Sequence, residues 1–476
     1  MHNRLIPLFL LCFVGLATSA IGAEFSADNV GDRQETTMDQ QVTPALVQKD
    51  STFCCQKKYF WTAAAEIIAL QIIPNYFNRH VADDTTADLS FKSWRRNVQR
   101  GFEWDPNAFS GNMFQHPYHG NLFFNSARSN GYSFWESYPF AFAGSFVWEM
   151  FGENNLGAIN DWAMTSLGGI TIGEALHRSA KMLRDNTAKG ASRAFQELGG
   201  FLLDPVGGFN RAVRGEMSKF GPNPADRYPT KLRYIADVGN RVMGEGRLRD
   251  APPATGYMSL IMAYGDPYED YKQPFDAFHI GLQLNGEDTT TLGMLQVWGT
   301  LYGSEIRDDE KVQHVFTIDQ MYDYANNRTY EVGGQSFAFS LRSRWFLKGD
   351  KAIVTLVQPS VYVMTGIISE FTRVGDRDYD FGSGLGLRVA GTLDKLNEYA
   401  FQIGYRGIFT HTLNGSKGNQ IVHFAFLRAR YRIWRSIGIG SDYILYMRES
   451  YFRDFPDVHR RNPEFRLSIS FFWNTI

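Results

Sequence analysis

The sequence is poor in cysteine and carries no excess of charge of either sign. Its 476 residues include 48 Lys and Arg against 50 Asp and Glu, a formal net charge of −2. Nucleic-acid-binding proteins usually carry a basic excess, so we expect no nucleic-acid partner. Of the three cysteines, Cys54 and Cys55 are adjacent, and adjacent cysteines do not form a disulfide framework.

Long apolar runs are also missing after the first 23 residues. A membrane-spanning helix needs about 18 or more predominantly apolar residues. The best candidate, residues 61–74, is too short and contains Glu66. Residues 156–176 are interrupted by Asp161 and Glu174. These absences exclude a polytopic helical membrane protein, while an aromatic content of 15% excludes a disordered chain.

The N-terminus has the pattern of a secretory signal. A basic residue precedes an apolar run at residues 5–16, and small residues follow up to Ala23. This pattern predicts a signal peptide over residues 1–23, cleaved after Ala23 or, as the second choice, after Ala20. Residues 24–57 are acidic and poor in large apolar side chains, so we expect a disordered tail there. The protein is therefore expected to be exported.

Residues 231–476 alternate with a period of two. Arg428, Arg430 and Arg432 alternate with apolar neighbours, and similar segments of about ten residues recur between turn residues. We count about 12 such segments, an even number that is typical of bacterial outer-membrane barrels. The pattern predicts an antiparallel transmembrane β-barrel of about 12 strands. A soluble β-sandwich or a lipid-binding periplasmic barrel is the alternative.

In the barrel, we expect lipid to cover the apolar side chains and the polar side chains to line the lumen. The last strand keeps its apolar alternation up to Trp473. This resembles the terminal strand that the barrel-assembly machinery reads, although three residues follow it. The expected location is the bacterial outer membrane, with outer-membrane lipid and the barrel-assembly machinery as partners.

The preceding part of the chain has helical patterns. A proline-rich linker at residues 216–230 is expected to separate a helical domain at residues 58–215 from the barrel. The predicted fold class is thus α+β, a helical domain followed by an antiparallel transmembrane barrel. We predict that the helix near residues 161–183 is capped by Asn160 or Asp161. The other helices are predicted near residues 59–78, 120–128, 140–151 and 191–201.

The helical region contains an unusual motif. His116, Pro117 and Gly120 form a His-Pro-x-x-Gly segment, and an Ala-Arg pair ending at Arg128 and a Trp-Glu pair ending at Glu149 follow. Residues in the range 107–180 resemble a bacterial family of unknown function whose members pair these features with a C-terminal outer-membrane-like barrel. The resemblance implies an exported envelope protein and implies no catalytic residues.

Small residues mark a packing face in this region. Thr165, Gly169 and Gly173 are spaced by four, which predicts a helix face against which a neighbour packs closely. Arg128 and Glu149 are expected to form a buried ion pair between helices, a structural role rather than a catalytic one. Arg128 and Glu174 are the candidate binding residues of the helical domain.

Two kinds of chemistry are conceivable in the helical domain. A metal site would use His116, His119, Glu174 and His177, but a second Glu-x-x-His is missing and His119 is expected in a turn, so we expect no metal and no cofactor. A hydrolase would use Ser137 or Ser145 as the nucleophile with His116 and a carboxylate, and the candidate catalytic residues are His116, Ser137 and Glu149. No Gly-x-Ser-x-Gly sequence is present to support it.

In the barrel, the candidate binding residues are Arg428, Arg430 and Arg432. Facing a lumen, they would either favour anions or form salt bridges with Asp442, Glu464 and the helical domain, and we prefer the salt bridges. The predicted function is a structural, binding or transport role in the cell envelope. The alternative is a lipid-acting hydrolase or transferase centred on the helical domain.

Overall fold

The computed structural model describes residues 57–81, 85–269, 271, 273–287, 290–395 and 398–475. The predicted signal peptide, the predicted tail up to residue 56 and all three cysteines lie outside these residues. In the part described, no helix is long and apolar enough to cross a membrane.

The N-terminal region of the described chain contains seven α-helices. Single π-helical turns lie at Gly111–Gln115 and at Trp148–Gly152. The helices are α1 (Phe60–His80), α2 (Phe91–Arg100), α3 (His116–Arg128), α4 (Phe134–Val147), α5 (Ile159–Leu183), α6 (Gly190–Leu203) and α7 (Pro205–Val213).

Twelve antiparallel strands follow and close into a barrel, because the last strand pairs with the first as well as with the strand before it. This confirms the predicted α+β fold class and the strand number. The strands are β1 (Leu232–Met243), β2 (Thr255–Tyr264), β3 (Phe278–Asn285), β4 (Leu292–Asp308), β5 (Val312–Asn326), β6 (Glu331–Leu347), β7 (Lys351–Ile368), β8 (Tyr379–Lys395), β9 (Tyr399–Asn414), β10 (Gly418–Trp434), β11 (Ile437–Phe452) and β12 (Val458–Thr475).

The two faces of each strand differ as the alternation predicts. In β6, Ser340 and Arg342 are buried in the barrel interior, while the neighbouring Phe339 and Leu341 are exposed on the outer wall. Successive side chains of a strand point to opposite faces, so one polar and one apolar surface result. The barrel therefore has a polar interior and an apolar outer wall.

The helical domain lies against the outside of this wall. Outward-facing Phe278, Ile280 and Leu282 of β3 are buried, and they belong to one apolar core with side chains of α3 and α5. Gln320 of β5, also outward-facing, donates to the carbonyl of Leu167 in α5 at 3.0 Å. The expectation that lipid covers every apolar side chain of the barrel is therefore wrong on this side, where helices take the place of lipid.

Helices α3 and α5 pack more closely than any large side chain would allow. A Cβ on Gly120 would lie 1.8 Å from the carbonyl oxygen of Thr165, and one on Gly169 would lie 2.3 Å from the carbonyl carbon of Gly120. Only glycine permits this approach. The predicted packing face of α5 is confirmed, and it fixes the positions of polar side chains on both helices.

Candidate functional site

Three potential metal ligands converge between the helices on the barrel wall. His116 is the first residue of α3, Glu149 lies in the π-helical turn after α4, and Asp161 lies in the first turn of α5. One donor atom from each lies within 4.8 Å of the other two. Nε2 of His116 is 3.6 Å from Oδ2 of Asp161. We call these three residues the His–Glu–Asp cluster.

Neighbouring groups orient both carboxylates of the cluster. The amide of Asn160 donates to Oδ1 of Asp161 at 2.5 Å, so Oδ2 is left toward His116. The backbone N–H of Ala158 donates to Oε2 of Glu149 at 2.8 Å. The other oxygen of Glu149, Oε1, is buried and has no hydrogen-bond partner in the described part of the chain. Each carboxylate therefore has one oxygen fixed and one available.

The electrostatic surroundings of the cluster are acidic. Burial raises the pKa of Asp161, and the nearby Glu149 raises it further. Burial also raises the pKa of Glu149, with Glu153 adding to the shift. Burial and the neighbouring His119 lower the pKa of His116 to about 3, so the imidazole is neutral. A neutral imidazole with a free ring nitrogen is the form that binds metals.

Glu174, a second buried carboxylate on α5, has surroundings that differ from those of Asp161. Glu174 accepts from Arg128 at 2.7 and 3.0 Å and from Arg178 at 2.9 Å, and Arg178 also reaches Asp276 in the loop after β2. Burial would raise the pKa of Glu174, but Arg128 and Arg178 outweigh it and lower the pKa to about 2. The predicted pair between Arg128 and Glu149 is wrong, because Arg128 sits on the last turn of α3, at the opposite end from the cluster.

Residues 101–206 match the model of a family described as a domain of unknown function (DUF3943). This confirms the kind of family that the sequence resembled, over a somewhat longer segment. All residues of the His–Glu–Asp cluster and the pair formed by Arg128 and Glu174 lie inside the matched segment. Among curated proteins, no match to the chain is found.

Several solved structures are similar to about half of this chain, and the similar part is its barrel. The NanC porin is 11% identical and covers 49% of this chain and 98% of its own, with a TM-score of 0.27. The outer membrane channel DcaP of Acinetobacter baumannii is 8% identical, with coverages of 51% and 96% and a TM-score of 0.23. OmpT of Vibrio cholerae is 9% identical, with coverages of 51% and 97% and a TM-score of 0.23.

The four residues considered for a metal site are not brought together. His119 lies on α3 rather than in a turn, because Pro117 is tolerated in the first turn of a helix. Its Nε2 contacts the carbonyl of Leu70. His177 contacts Asp204 at 2.9 Å, while Glu174 is held by arginines. Of this set, only His116 belongs to the His–Glu–Asp cluster.

Ser137 does not join a catalytic arrangement. Its hydroxyl donates to the carbonyl of Ser133 within α4 at 2.8 Å. Within the described residues, no hydrogen bond joins Ser137 to His116. A nucleophilic serine needs a base within hydrogen-bond reach. Of the three candidate catalytic residues, the structure therefore brings together His116 and Glu149 but not Ser137.

The arginines predicted to line the lumen point into the barrel. Arg430 bridges Asp237 at 2.8 Å and Asp442 at 2.5 Å, whereas Arg428 lies 4.5 Å from the ring centre of Phe426 and Arg432 lies 5.2 Å from that of Phe472. Further ion pairs cross the interior. They join Arg342 to Asp319, Arg406 to Asp323, Arg241 and Arg466 to Glu464, and Arg448 to Glu370.

These ion pairs hold polar side chains buried inside the barrel. In the loop between β2 and β3, the ring centre of Tyr268 lies 4.1 Å from the guanidinium carbon of Arg344 at the mouth of the barrel. An interior cavity lined by Asp323, Arg406 and Val422 has a volume of about 20 Å³, room for a single water molecule. The helical domain supplies none of the acidic partners described above, because it packs outside the wall. That part of the salt-bridge expectation is wrong.

The sequence did not identify Asp161 as a partner of His116. Its position at the start of α5 favoured a helix cap, and an aspartate in the first turn fits either role. In the structure, Ala158 is the N-cap residue and makes no side-chain capping bond. The available signal was the run Asn160-Asp161, in which the amide orients the carboxylate.

Proposed function

We propose that this chain is an integral outer-membrane protein whose barrel anchors the helical domain, and that it acts by binding at that domain rather than by passing solutes through the lumen. The observation that carries the proposal is the closed barrel itself, with an exposed apolar outer wall around an ion-paired interior. A water-soluble barrel would place this apolar surface in water at a large free-energy cost.

The exposed part of the wall has the character of a lipid-contacting belt. It extends over the parts of β6 to β12 that the helices leave uncovered, and Leu427 and Leu467 there remain 53% and 57% exposed. An outward-facing apolar band about 25 Å tall is typical of outer-membrane barrels. The belt includes Val357, Val361, Leu385, Leu387, Phe401, Ile403, Leu427, Tyr431, Ile439, Tyr443, Leu467 and Ile469.

The loops suggest an orientation in the membrane. The end at which β1 begins and β12 ends has short turns at residues 309–311, 348–350 and 435–436, together with one long connection, residues 265–277, at the mouth of the barrel. The opposite end has longer connections at residues 244–254 and 369–378. Outer-membrane barrels have short periplasmic turns and longer extracellular loops, so the first end would face the periplasm.

The helical layer also presents an apolar surface outward. On α1, Trp61, Ile68, Ile72 and Tyr76 share one face and are exposed, Trp61 to 82%. The helical domain occupies a place on the wall that lipid would otherwise cover. The exposed face of α1 would therefore meet the membrane beside the barrel. The secretory signal and the barrel-assembly machinery would supply the route to that location.

A binding role is favoured over transport because the interior is occupied. Ion pairs cross the lumen, and interior side chains such as Asp319 and Arg448 are fully buried. The lipid-acting hydrolase is not supported, since Ser137 lies away from His116. The helical domain therefore holds the polar groups that remain available to a ligand.

A single arginine on the belt tests the membrane placement. Leu427→Arg places a charge on the lipid-facing wall, which costs about 2–4 kcal/mol near the midplane. We expect less folded protein in the outer-membrane fraction, measured as the heat-modifiable gel band. The matched control is Val374→Arg, which adds the same side chain at an exposed position in the loop between β7 and β8. Equal yields from both variants would contradict the placement.

Conductance measurements test the closed lumen. Purified protein in planar bilayers should show no steady channel current. A variant with Tyr268→Ala and Tyr271→Ala, which thins the loop at the mouth of the barrel, should conduct more than the unchanged chain. A large steady conductance from the unchanged chain would overturn the choice of binding over transport.

A further inference from the structure

We propose that His116, Glu149 and Asp161 bind one divalent transition-metal cation of the zinc, manganese or iron(II) type. The proposal concerns the helical domain alone. It does not rest on the membrane placement, because the cluster is formed by α3, α5 and the turn after α4.

The first argument is geometric. Nε2 of His116 and Oδ2 of Asp161 are 3.6 Å apart, and the three donor atoms lie within 4.8 Å of one another. Two donors that each lie about 2.1 Å from one ion are separated by about 3.4 Å in a tetrahedral arrangement. The edge between His116 and Asp161 has nearly this length, and a small inward movement of Glu149 completes the triangle.

The second argument is the unused oxygen of Glu149. Only 5% of this residue is exposed, and its Oε1 has no hydrogen-bond partner in the described structure. Leaving a buried carboxylate oxygen without a partner is costly. A cation at the centre of the cluster would supply the missing interaction.

The third argument is charge. The charged groups that act on Asp161 are Glu149, Asp105 and Glu153, which are all acidic. Arg377, which acts on Asp105, donates to the backbone carbonyl of that residue at 3.4 Å. Buried charges in proteins are paired or coordinate metals. No described lysine or arginine forms an ion pair with Glu149 or Asp161, so a divalent cation is the partner that fits.

The surrounding groups already hold the donors in place. Asn160 fixes one oxygen of Asp161, and the backbone of Ala158 fixes one oxygen of Glu149. Such outer partners orient the ligands in protein metal sites. The imidazole favours zinc and iron(II), and the carboxylates also suit manganese. Three protein ligands leave coordination positions open for water or a substrate, and the side chain of His116 retains 14% exposure as a route of entry.

Metal binding to the purified full-length protein tests the proposal. The protein in detergent is stripped with EDTA and then dialysed against Zn²⁺ or Mn²⁺, and bound metal is counted by elemental mass spectrometry and titrated by calorimetry. We expect one ion per chain. Asp161→Asn and Glu149→Gln should each weaken binding by at least about 10–100-fold, the cost of losing even an outer partner of a ligand.

The matched control is Glu66→Gln. Glu66 is a carboxylate of α1 that accepts from Asn130 and lies outside the cluster. This variant should bind metal as the unchanged protein does. The heat-modifiable band of every variant shows that its barrel is folded, so a failed barrel and a failed metal site give different results.

Two results would overturn the metal site. One is less than about 0.2 ion per chain in the folded, unchanged protein under both metals. The other is equal binding by Asp161→Asn and the unchanged protein, which would mean that the ion sits on an unrelated surface group. Either result with a normal folded band would leave the barrel proposal intact.

Discussion

Helix α5 carries two buried carboxylates that the fold treats in opposite ways. Asp161 and Glu174 are 13 positions apart in the sequence, about 20 Å along a helix. Glu174 is enclosed by Arg128 and Arg178. Asp161 accepts from the amide of Asn160, and the ionisable groups near it are a neutral imidazole and other carboxyls. Glu174 thus belongs to ion pairs that hold helices together, whereas Asp161 belongs to the His–Glu–Asp cluster that we propose binds a cation.

Asp161 and Glu174 lie on the same helix and are supported by the same neighbouring helix, so they can be compared within one structure. The close contact of α3 and α5 through Gly120 and Gly169 lies between them and positions His116 at one end and Arg128 at the other. A difference in their response to substitution therefore reflects their partners, because the supporting helices are the same.

The largest expected effect comes from removing the ion pairs that Glu174 forms with Arg128 and Arg178. Glu174→Gln leaves Arg128 and Arg178 buried with less compensation, and breaking one partner of a buried ion pair costs about 3–5 kcal/mol. We expect a loss of this size in denaturant unfolding of the purified protein. The control is Glu136→Gln, which removes an exposed pair with Lys58 and should cost at most about 1 kcal/mol. Similar losses for both would contradict the structural role of Glu174.

Acid should weaken the ion pairs of Glu174 without any substitution. The pKa of Glu174 is lowered to about 2 in the folded protein, against an ordinary value of 4.5. A lowered pKa means that the stabilisation is present above pH 4.5 and is lost as the pH falls toward 2. The loss is about 3 kcal/mol, taking 1.36 kcal/mol per pH unit. In Glu174→Gln, the unfolding free energy should fall less over this interval, and an unchanged slope would assign the acid loss to other carboxyls.

Separating the two helices should damage both centres together. Gly120→Ala places a Cβ against the carbonyl of Thr165, and such overpacking costs about 1–3 kcal/mol. Gly221→Ala is the control, because nothing lies within 4 Å of its added Cβ. We expect lower stability and weaker metal binding only in the first variant. Normal values of both for Gly120→Ala would mean that the α3–α5 contact does not position the two centres.

Some of this arrangement was predictable from the sequence, and the rest depended on tertiary contacts. Strand alternation predicted the twelve-stranded barrel, and a spacing of four predicted the packing face around Gly169. Alternation cannot show which material covers an apolar face, since lipid and a helix demand the same side chains. For this reason the position of the helical domain on the outer wall was not foreseen.

Two helices were also missed for local reasons. Helix α2 at Phe91–Arg100 is largely polar, and its clearest sequence signal is the capping box formed by Ser90 and Ser93. Helix α7 at Pro205–Val213 begins with a proline and contains adjacent glycines, which predict a loop. In the cluster, His116 and Glu149 were named as candidates, whereas Asp161 depended on knowing how α5 meets α3.

The smallest expected effect separates the two carboxylates most clearly. Asp161→Asn keeps the size of the side chain and an oxygen that accepts from Asn160, while it removes a carboxyl that has no cationic partner. Since no ion pair is broken, the metal-free protein should keep its stability within about 1 kcal/mol or gain slightly. Denaturant unfolding in EDTA measures this change.

A loss as large as that of Glu174→Gln would show that Asp161 stabilises the fold through a partner of its own, and the two ends of α5 would then be alike. If stability is retained while metal binding is lost, Asp161 serves a ligand, and the asymmetry along the helix separates its structural end from its binding end.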